Sequence, residues 1–315
     1  MGIKALLTFD YGKSKMDSLR DLGYDITFIE DNKVRSVPEL LDTEVIVCYD
    51  PFKALDITKM NKLKWIQLSS AGIDQLPINY VKQEGIVITN NKGGYSIPMG
   101  EWVVLKILEM LKHSFKLYKN QENKLWKMDS SVVELCGKTV GFLGTGEIAK
   151  QSAKRLQGFE TRILGTNTSG SETEYFHKCY SNDETAVMLK QCDIVVITVP
   201  YTNSTHKMID KNMINIMKDG VYIVNVARGS IIDEAALISE LNSGKIAAAA
   251  LDVVEEEPLT MESPLWSMEN VIITPHNSWM SEKKDERRFN LFYENLKNYA
   301  EGKELKNKVN LSKGY

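Results

Sequence analysis

Three stretches carry side chains able to move protons and hold anions: TPHNSW (274–279), ARGS (227–230) and DVVEEEP (252–258). His276 is one of only four histidines in 315 residues, and a histidine gains and loses a proton near neutral pH. Arg228 offers a planar fork of N–H donors suited to a carboxylate or a carbonyl oxygen. A carboxylate such as Glu257 can stabilise an imidazolium and fix the orientation of its ring. Each has a plainer explanation alone: a core histidine, a surface charge, a solvated acidic run over Glu255–Glu257. Together they supply what reduction of a 2-oxo acid asks of a protein. That reaction needs a proton for the carbonyl oxygen and a cation for the carboxylate, beside a source of hydride.

Each stretch follows a short β-branched run. The runs from the middle of the chain onward are KTVGFL (138–143), TRILGT (161–166), DIVVITV (193–199), VYIVNV (221–226), AAAALDV (247–253) and VIIT (271–274). Helical-length segments separate them, so they read as six parallel strands with crossover helices. Parallel strands share one carboxyl edge, and ligands of open α/β sheets bind there. VPYTNST (199–205), ARGS, DVVEEEP and PHNSW (275–279) all emerge at that edge. A second alternation fills the first hundred residues: IKALLTF (3–9), DITFI (25–29), EVIVCY (44–49), WIQLS (65–69) and IVIT (86–89). The chain is therefore expected to be α/β, with two doubly wound parallel-sheet domains. One long helix is expected over 97–126, with an apolar face of Trp102, Leu105, Leu108, Met110 and Leu111. The last helix, 285–302, follows the completed second sheet and is expected to return to the first domain.

GFLGTGEIAK (141–150) links a strand to a helix, the context that gives a GxGxxG-type turn its meaning. Gly144 permits the tight turn, Gly146 lets backbone amides approach a pyrophosphate, and Ala149 stands at the third position. Thr145, Glu147 and Ile148 complete the turn and the first helical residues, whose free N–H groups favour an anion. The second strand should end in a carboxylate for the ribose hydroxyls, yet Asn167 stands there. Thr168 and Ser169 follow it with hydroxyls able to bond a 2′-phosphate. NADP(H) is therefore favoured over NAD(H).

The composition excludes several classes. A net charge of −3 gives no electrostatic footprint for nucleic acid. Four scattered cysteines (Cys48, Cys136, Cys179, Cys192) without ligand spacing suit neither a disulfide framework nor a zinc site, so no metal is expected. The N-terminus reads as a first strand rather than a signal peptide, and no apolar run approaches a membrane span. A cytoplasmic location is the expectation.

The chain resembles the D-isomer-specific 2-hydroxyacid dehydrogenases. KTVGFLGTGEIAK, VNVARGSIIDEAAL, AAALDVVEEEPL and NVIITPHNSW occur in that family's order and spacing, and SSAGIDQLP (69–77) resembles its carboxylate-binding loop. The resemblance implies a flavodoxin-like substrate domain from both chain ends (1–98 and 288–315) and a Rossmann dinucleotide-binding domain (99–287). It implies Arg228 as the substrate-binding arginine, Glu257 as the carboxylate paired to the catalytic histidine, and His276 as the acid/base. Asp252 would contact the nicotinamide amide, Val199, Ala227 and Arg228 would line the nicotinamide ribose, and Pro200 would belong to the cofactor site. Ser70, Ala71 and Gly72 would hold the substrate carboxylate, and a homodimer would form partly on the long helix. Two positions depart from the usual pattern: Asn167, and Trp279, whose bulk near the histidine favours a small or apolar 2-oxo acid over a phosphorylated one.

Two rivals use the same features. YENLK (293–297) has the Tyr-x-x-x-Lys pair of short-chain dehydrogenases, but that class carries its glycine turn near the N-terminus, and here about 140 residues precede it. A dinucleotide-sensing regulatory protein of the same fold would bind without turnover; the intact Arg228, Glu257 and His276 set speaks for the enzyme.

Overall fold

The computed structural model describes residues 2–314. The chain divides into two compact units, Met1–Gly94 with Ser281–Tyr315, and Tyr95–Met280. The crossings thus fall at 94/95 and 280/281, earlier than the 98/99 and 287/288 expected from the sequence. The physical reason is that helices are not cut. The helix read from position 97 starts at Ser96, and the last helix starts at Lys284, so both stay whole.

The first unit opens with β1 (Ile3–Leu7), α1 (Lys13–Arg20), β2 (Tyr24–Phe28), β3 (Val45–Cys48), β4 (Trp65–Leu68), α2 (Ile78–Glu84) and β5 (Val87–Thr89). Its strands are all parallel, in the order β2-β1-β3-β4-β5. Alternate residues of β1 and β3 enter opposite core layers: Leu6, Ile46 and Cys48 on one side, Ala5, Leu7, Val45 and Val47 on the other. Central strands buried on both faces explain their unbroken apolar runs.

The second unit contains α3 (Ser96–Leu111), α4 (Ser114–Glu122), β6 (Thr139–Leu143), α5 (Glu147–Leu156), β7 (Arg162–Asn167) and β8 (Lys178–Ser181). It continues with α6 (Thr185–Leu189), β9 (Ile194–Ile197), α7 (Lys211–Ile216), β10 (Val221–Asn225), α8 (Glu234–Ser243), β11 (Ile246–Leu251) and β12 (Val271–Ile273). The order is β12-β11-β10-β9-β6-β7-β8, again all parallel. The chain then returns to the first unit as α9 (Lys284–Ala300), where Phe289, Phe292 and Leu296 join the layer around Leu7 and Trp65.

Two features depart from the sequence-based expectation. The expected 97–126 helix is broken: α3 ends at Leu111, and His113 lies in the left-handed region at φ 47° before α4 begins. Asp129 holds the break, accepting from Lys116 at 2.8 Å and meeting His113 Nδ1 at 3.1 Å. The sheet also has a seventh strand, β8, at its edge, whose KCYS sequence has no apolar run although Tyr180 is buried in the core. No helix among the described residues is long and apolar enough to cross a membrane.

Candidate active site

The glycine turn leaves β6 through Gly144 at φ +88°, a conformation that L side chains rarely adopt. A Cβ there would stand 3.1 Å from Val199 Cγ1, so the turn lies against the segment that follows β9. Thr198 Oγ1 ties the two together by donating to the carbonyls of Leu143 at 2.9 Å and Gly144 at 3.0 Å. Gly146 is the N-cap of α5; it is exposed, and no atom lies within 4 Å of where its Cβ would be. No side chain caps the helix, so its first N–H groups open onto that space, while Ala149 is fully buried beneath. Such a cradle fits a pyrophosphate. Glu147 pairs with Lys150 on the helix surface, and Ile148 packs against the core.

At the end of β7 the Asn167 amide folds its own loop. Its Nδ2 donates to Ser171 O at 2.8 Å and to Thr145 Oγ1 at 3.2 Å, and its Oδ1 accepts from Ser169 N at 3.2 Å and Ser171 N at 3.1 Å. Thr168 and Ser169 are exposed on that loop.

Buried Asn225 shapes the turn after β10, accepting from Ala227 N and donating to Arg228 O, each at 3.0 Å. Arg228 Nη1 also donates to Ala227 O at 2.8 Å. Gly229 then passes directly over the loop after β11: a Cβ there would lie 1.9 Å from the Val254 carbonyl carbon and 2.3 Å from Glu255 N. Backbone meets backbone, which brings the arginine turn against the acidic run.

Within that run the carboxylates have separate partners. Glu255 pairs with Lys207 at 3.0 Å, whereas Glu257 Oε2 meets His276 Nδ1 at 2.9 Å. Partial burial raises the Glu257 pKa, but the His276 hydrogen bond and charge, a Val254 backbone hydrogen bond and the Arg228 charge outweigh it. The net result lies below the usual carboxylate range. His276 itself sits at φ +49°, and its N–H donates to Asp252 O at 2.8 Å. Its Nε2 has no hydrogen-bond partner among the described residues.

Asp252, only 3% exposed, fixes this loop with both carboxylate oxygens. Oδ1 accepts from Thr274 Oγ1 at 2.6 Å and Asn277 N at 2.8 Å, and Oδ2 from Ser278 N at 3.0 Å. Trp279 Nε1 adds a bond to His276 O at 2.9 Å, with its ring edge-on to Tyr95 at 5.3 Å. Arg228, Glu257, His276, Asp252 and Trp279 are thus gathered at one edge of the second unit's sheet. Val199 and the glycine turn share that edge, with Pro200 exposed beyond it.

Ser70, Ala71 and Gly72 follow β4 in the first unit. Their carbonyls are turned into the fold: Asn91 N bonds Ser70 O at 2.8 Å, Asn90 Nδ2 bonds Ala71 O at 2.7 Å, and Ser70 Oγ bonds Gly72 O at 2.7 Å. The N–H groups of Ala71 and Gly72 donate to no acceptor among the described residues.

Gly229, Thr274 and Ser278 lie inside ARGS and TPHNSW with no role of their own assigned there, and Asn225 lies outside those stretches. A polar residue at the carboxyl end of an apolar strand signals Asn225, but nothing local marks the approach of Gly229 to Val254. An isolated Tyr95 gives no signal.

A family model described as "D-isomer specific 2-hydroxyacid dehydrogenase, NAD binding domain" matches residues 104–278. D-3-phosphoglycerate dehydrogenase of Archaeoglobus fulgidus is 31% identical over 98% of the chain and 59% of its own length. The chain thus spans about three fifths of the length of the archaeal phosphoglycerate dehydrogenases it matches. Hydroxypyruvate reductase of Thermotoga maritima is 34% identical over 78% of the chain and 80% of its own length. Among solved structures, a D-isomer specific 2-hydroxyacid dehydrogenase from Xanthobacter autotrophicus Py2, in complex with NADPH and MES, superposes with a TM-score of 0.84. It is 25% identical and covers 100% of both chains.

Proposed function

The chain belongs to the D-isomer-specific 2-hydroxyacid dehydrogenase family, and from that membership we propose that it interconverts a small 2-oxo acid and its D-2-hydroxy acid. The observation that carries the reading is the 2.9 Å pair of His276 Nδ1 and Glu257 Oε2 on the sheet edge that also bears the glycine turn and Arg228. A nicotinamide dinucleotide, when bound, supplies or accepts the hydride. The turn over Gly144–Gly146 with Thr145, the first residues of α5, Asn167–Ser169, Val199, Pro200, Ala227 and Asp252 would hold it.

The chain's own chemistry rests on the geometry. With Nδ1 occupied by Glu257, His276 holds its mobile proton at Nε2 for the carbonyl oxygen, or takes one from the hydroxyl. Glu257 fixes the ring; Arg228 offers its guanidinium to the carboxylate or the reacting oxygen. The N–H groups of Ala71 and Gly72 are assigned to the substrate carboxylate. Trp279, on the His276 loop, is assigned to substrate selection and favours a small or apolar side chain. Hydroxypyruvate, glyoxylate, pyruvate and branched 2-oxo acids are the substrates to try.

We assign NADP(H) as the cofactor. Asn167 places an amide where a carboxylate would repel a 2′-phosphate, and the exposed Thr168 and Ser169 supply hydroxyls beside it. A 2-oxo acid panel run with NADPH and NADH is expected to show turnover with the preference for NADPH. Absence of oxidation with every acid would sink the enzyme reading and leave dinucleotide sensing. Asn167→Asp should shift the NADPH/NADH ratio of kcat/KM towards NADH by about tenfold or more, since a like charge within a few ångströms costs about 1–2 kcal/mol. An unchanged ratio would remove Asn167 from the specificity argument.

Glu257 gives a pH test. Its folded pKa is depressed, so its stabilising contribution is present above the ordinary value of 4.5 and is lost as pH falls through the folded value. The gap in urea midpoint between wild type and Glu257→Gln should therefore be full at pH 7 and shrink below about pH 4.5. Turnover of the variant at pH 7 should fall about 10- to 100-fold, the usual cost of losing an orienting partner.

A homodimer is the proposed assembly. Leu105, Phe115, Tyr118, Leu125, Trp126 and Met128 are all exposed along α3, α4 and the following segment, a concentration of apolar surface that marks interaction sites.

A further inference from the structure

We infer that Arg287 is a positioning residue for the reaction proposed above, because its guanidinium ties together the two places where the chain passes between its compact units. The first unit's two segments end at Gly94 and begin again at Ser281. Arg287 Nε donates to Gly94 O at 2.9 Å, and Nη2 donates to Ser281 Oγ at 2.7 Å. One side chain on the first turn of α9 therefore holds both crossovers, although 193 residues of sequence separate it from the first.

The use of the charge is unusual. Arg287 is partly buried and forms no ion pair among the described residues, while its neighbour Asp285 is taken by Lys284 and Arg288. A guanidinium commonly goes to a carboxylate; this one is committed to two neutral acceptors. Its rigid fork presents N–H groups at a fixed separation, which a lysine ammonium cannot reproduce.

The guanidinium works beside other ties on the first crossover, where Gly94 N bonds Asn91 O at 3.0 Å and Asn307 Nδ2 bonds Lys92 O at 2.8 Å. The first runs through Gly93 at φ +89° and Gly94, neither of which has a side chain to pack. At Gly94 even a Cβ would fall 2.5 Å from Asn91 Oδ1. The second comes directly after the His276 loop. That loop is anchored by Asp252 through Thr274, Asn277 and Ser278 and by Trp279 Nε1 on His276 O, and Ser281 to Arg287 is a further tie downstream. Without the guanidinium both segments sample more conformers. The reactive arrangement becomes a smaller fraction of the population, and apparent substrate affinity falls by that fraction.

The test is amide hydrogen exchange on the full chain, read beside steady-state kinetics, for Arg287→Met, Arg287→Lys and Ser281→Ala. Arg287→Met should speed exchange on the order of tenfold in 92–96 and 279–284 and leave the remainder within about twofold. KM for the 2-oxo acid should rise on the order of tenfold with kcat within about threefold. Ser281→Ala should loosen only 279–284, and Arg287→Lys should fall between wild type and the methionine variant. Unchanged exchange in both segments overturns the proposal whether or not turnover is found, which separates its failure from failure of the enzyme reading. Faster exchange throughout the chain with a lowered Tm overturns it too, as general packing, and so does local loosening with unchanged KM.

Discussion

Alanine at position 276 is expected to lower turnover by about 10²- to 10⁴-fold, the range a positioned general acid contributes, while dinucleotide affinity stays within about twofold. The imidazole has one nitrogen bound to a carboxylate and a second without a partner among the described residues. The glycine turn proposed to cradle phosphate is built on β6 and α5, and His276 comes after β12, so the two functions are expected to separate by mutation. One complication is conformational: His276 sits at φ +49°, where alanine is strained by about 1 kcal/mol. His276→Asn tolerates that backbone and lacks the proton chemistry, so both variants should fail alike. Stopped-flow turnover and a fluorescence titration with NADPH measure the two quantities. Near-normal turnover in the asparagine variant would end the proton-donor assignment.

Gly229→Ala is expected to damage both stability and activity, and by more than truncation of the neighbouring arginine. The added methyl would meet the Val254 carbonyl carbon at 1.9 Å, and the obstacle is backbone rather than a side chain able to swing aside. Overpacking of this kind costs roughly 3 kcal/mol, which for a unit of this size lowers Tm by about 6–12 °C. Because relief requires the turns after β10 and β11 to move apart, Arg228 and Glu257 move with them, and kcat/KM should fall at least about 100-fold. Arg228→Ala provides the contrast, losing activity with little change in Tm. Calorimetry beside steady-state kinetics distinguishes the two; a Gly229→Ala protein with wild-type Tm would show that the loops yield easily.

The sequence makes the sheet edge legible because parallel strands buried on both faces leave unbroken β-branched runs, and the residues just after each run must lie on one rim. TPHNSW, ARGS and DVVEEEP are readable for that reason. β8 is not, since KCYS at the sheet edge carries no apolar run. The break at His113 is equally silent, because Asp129, 16 residues further on, holds it. Asp252 shows a third kind of gap. Family resemblance suggests a contact with the cofactor's amide, but its hold on Thr274, Asn277 and Ser278 depends on register between β11 and β12. Pairing across strands has no local imprint.

The two carboxylates flanking His276 carry a consequence for isotopic labelling. Asp252 uses both oxygens as acceptors for three donors, and Glu257 is held below the usual carboxylate range beside the imidazole and Arg228. Both are committed as acceptors, which leaves the ring between them as the proposed proton donor. Rate plotted against deuterium fraction in mixed water should then be a straight line: one hydron in flight for each hydride delivered.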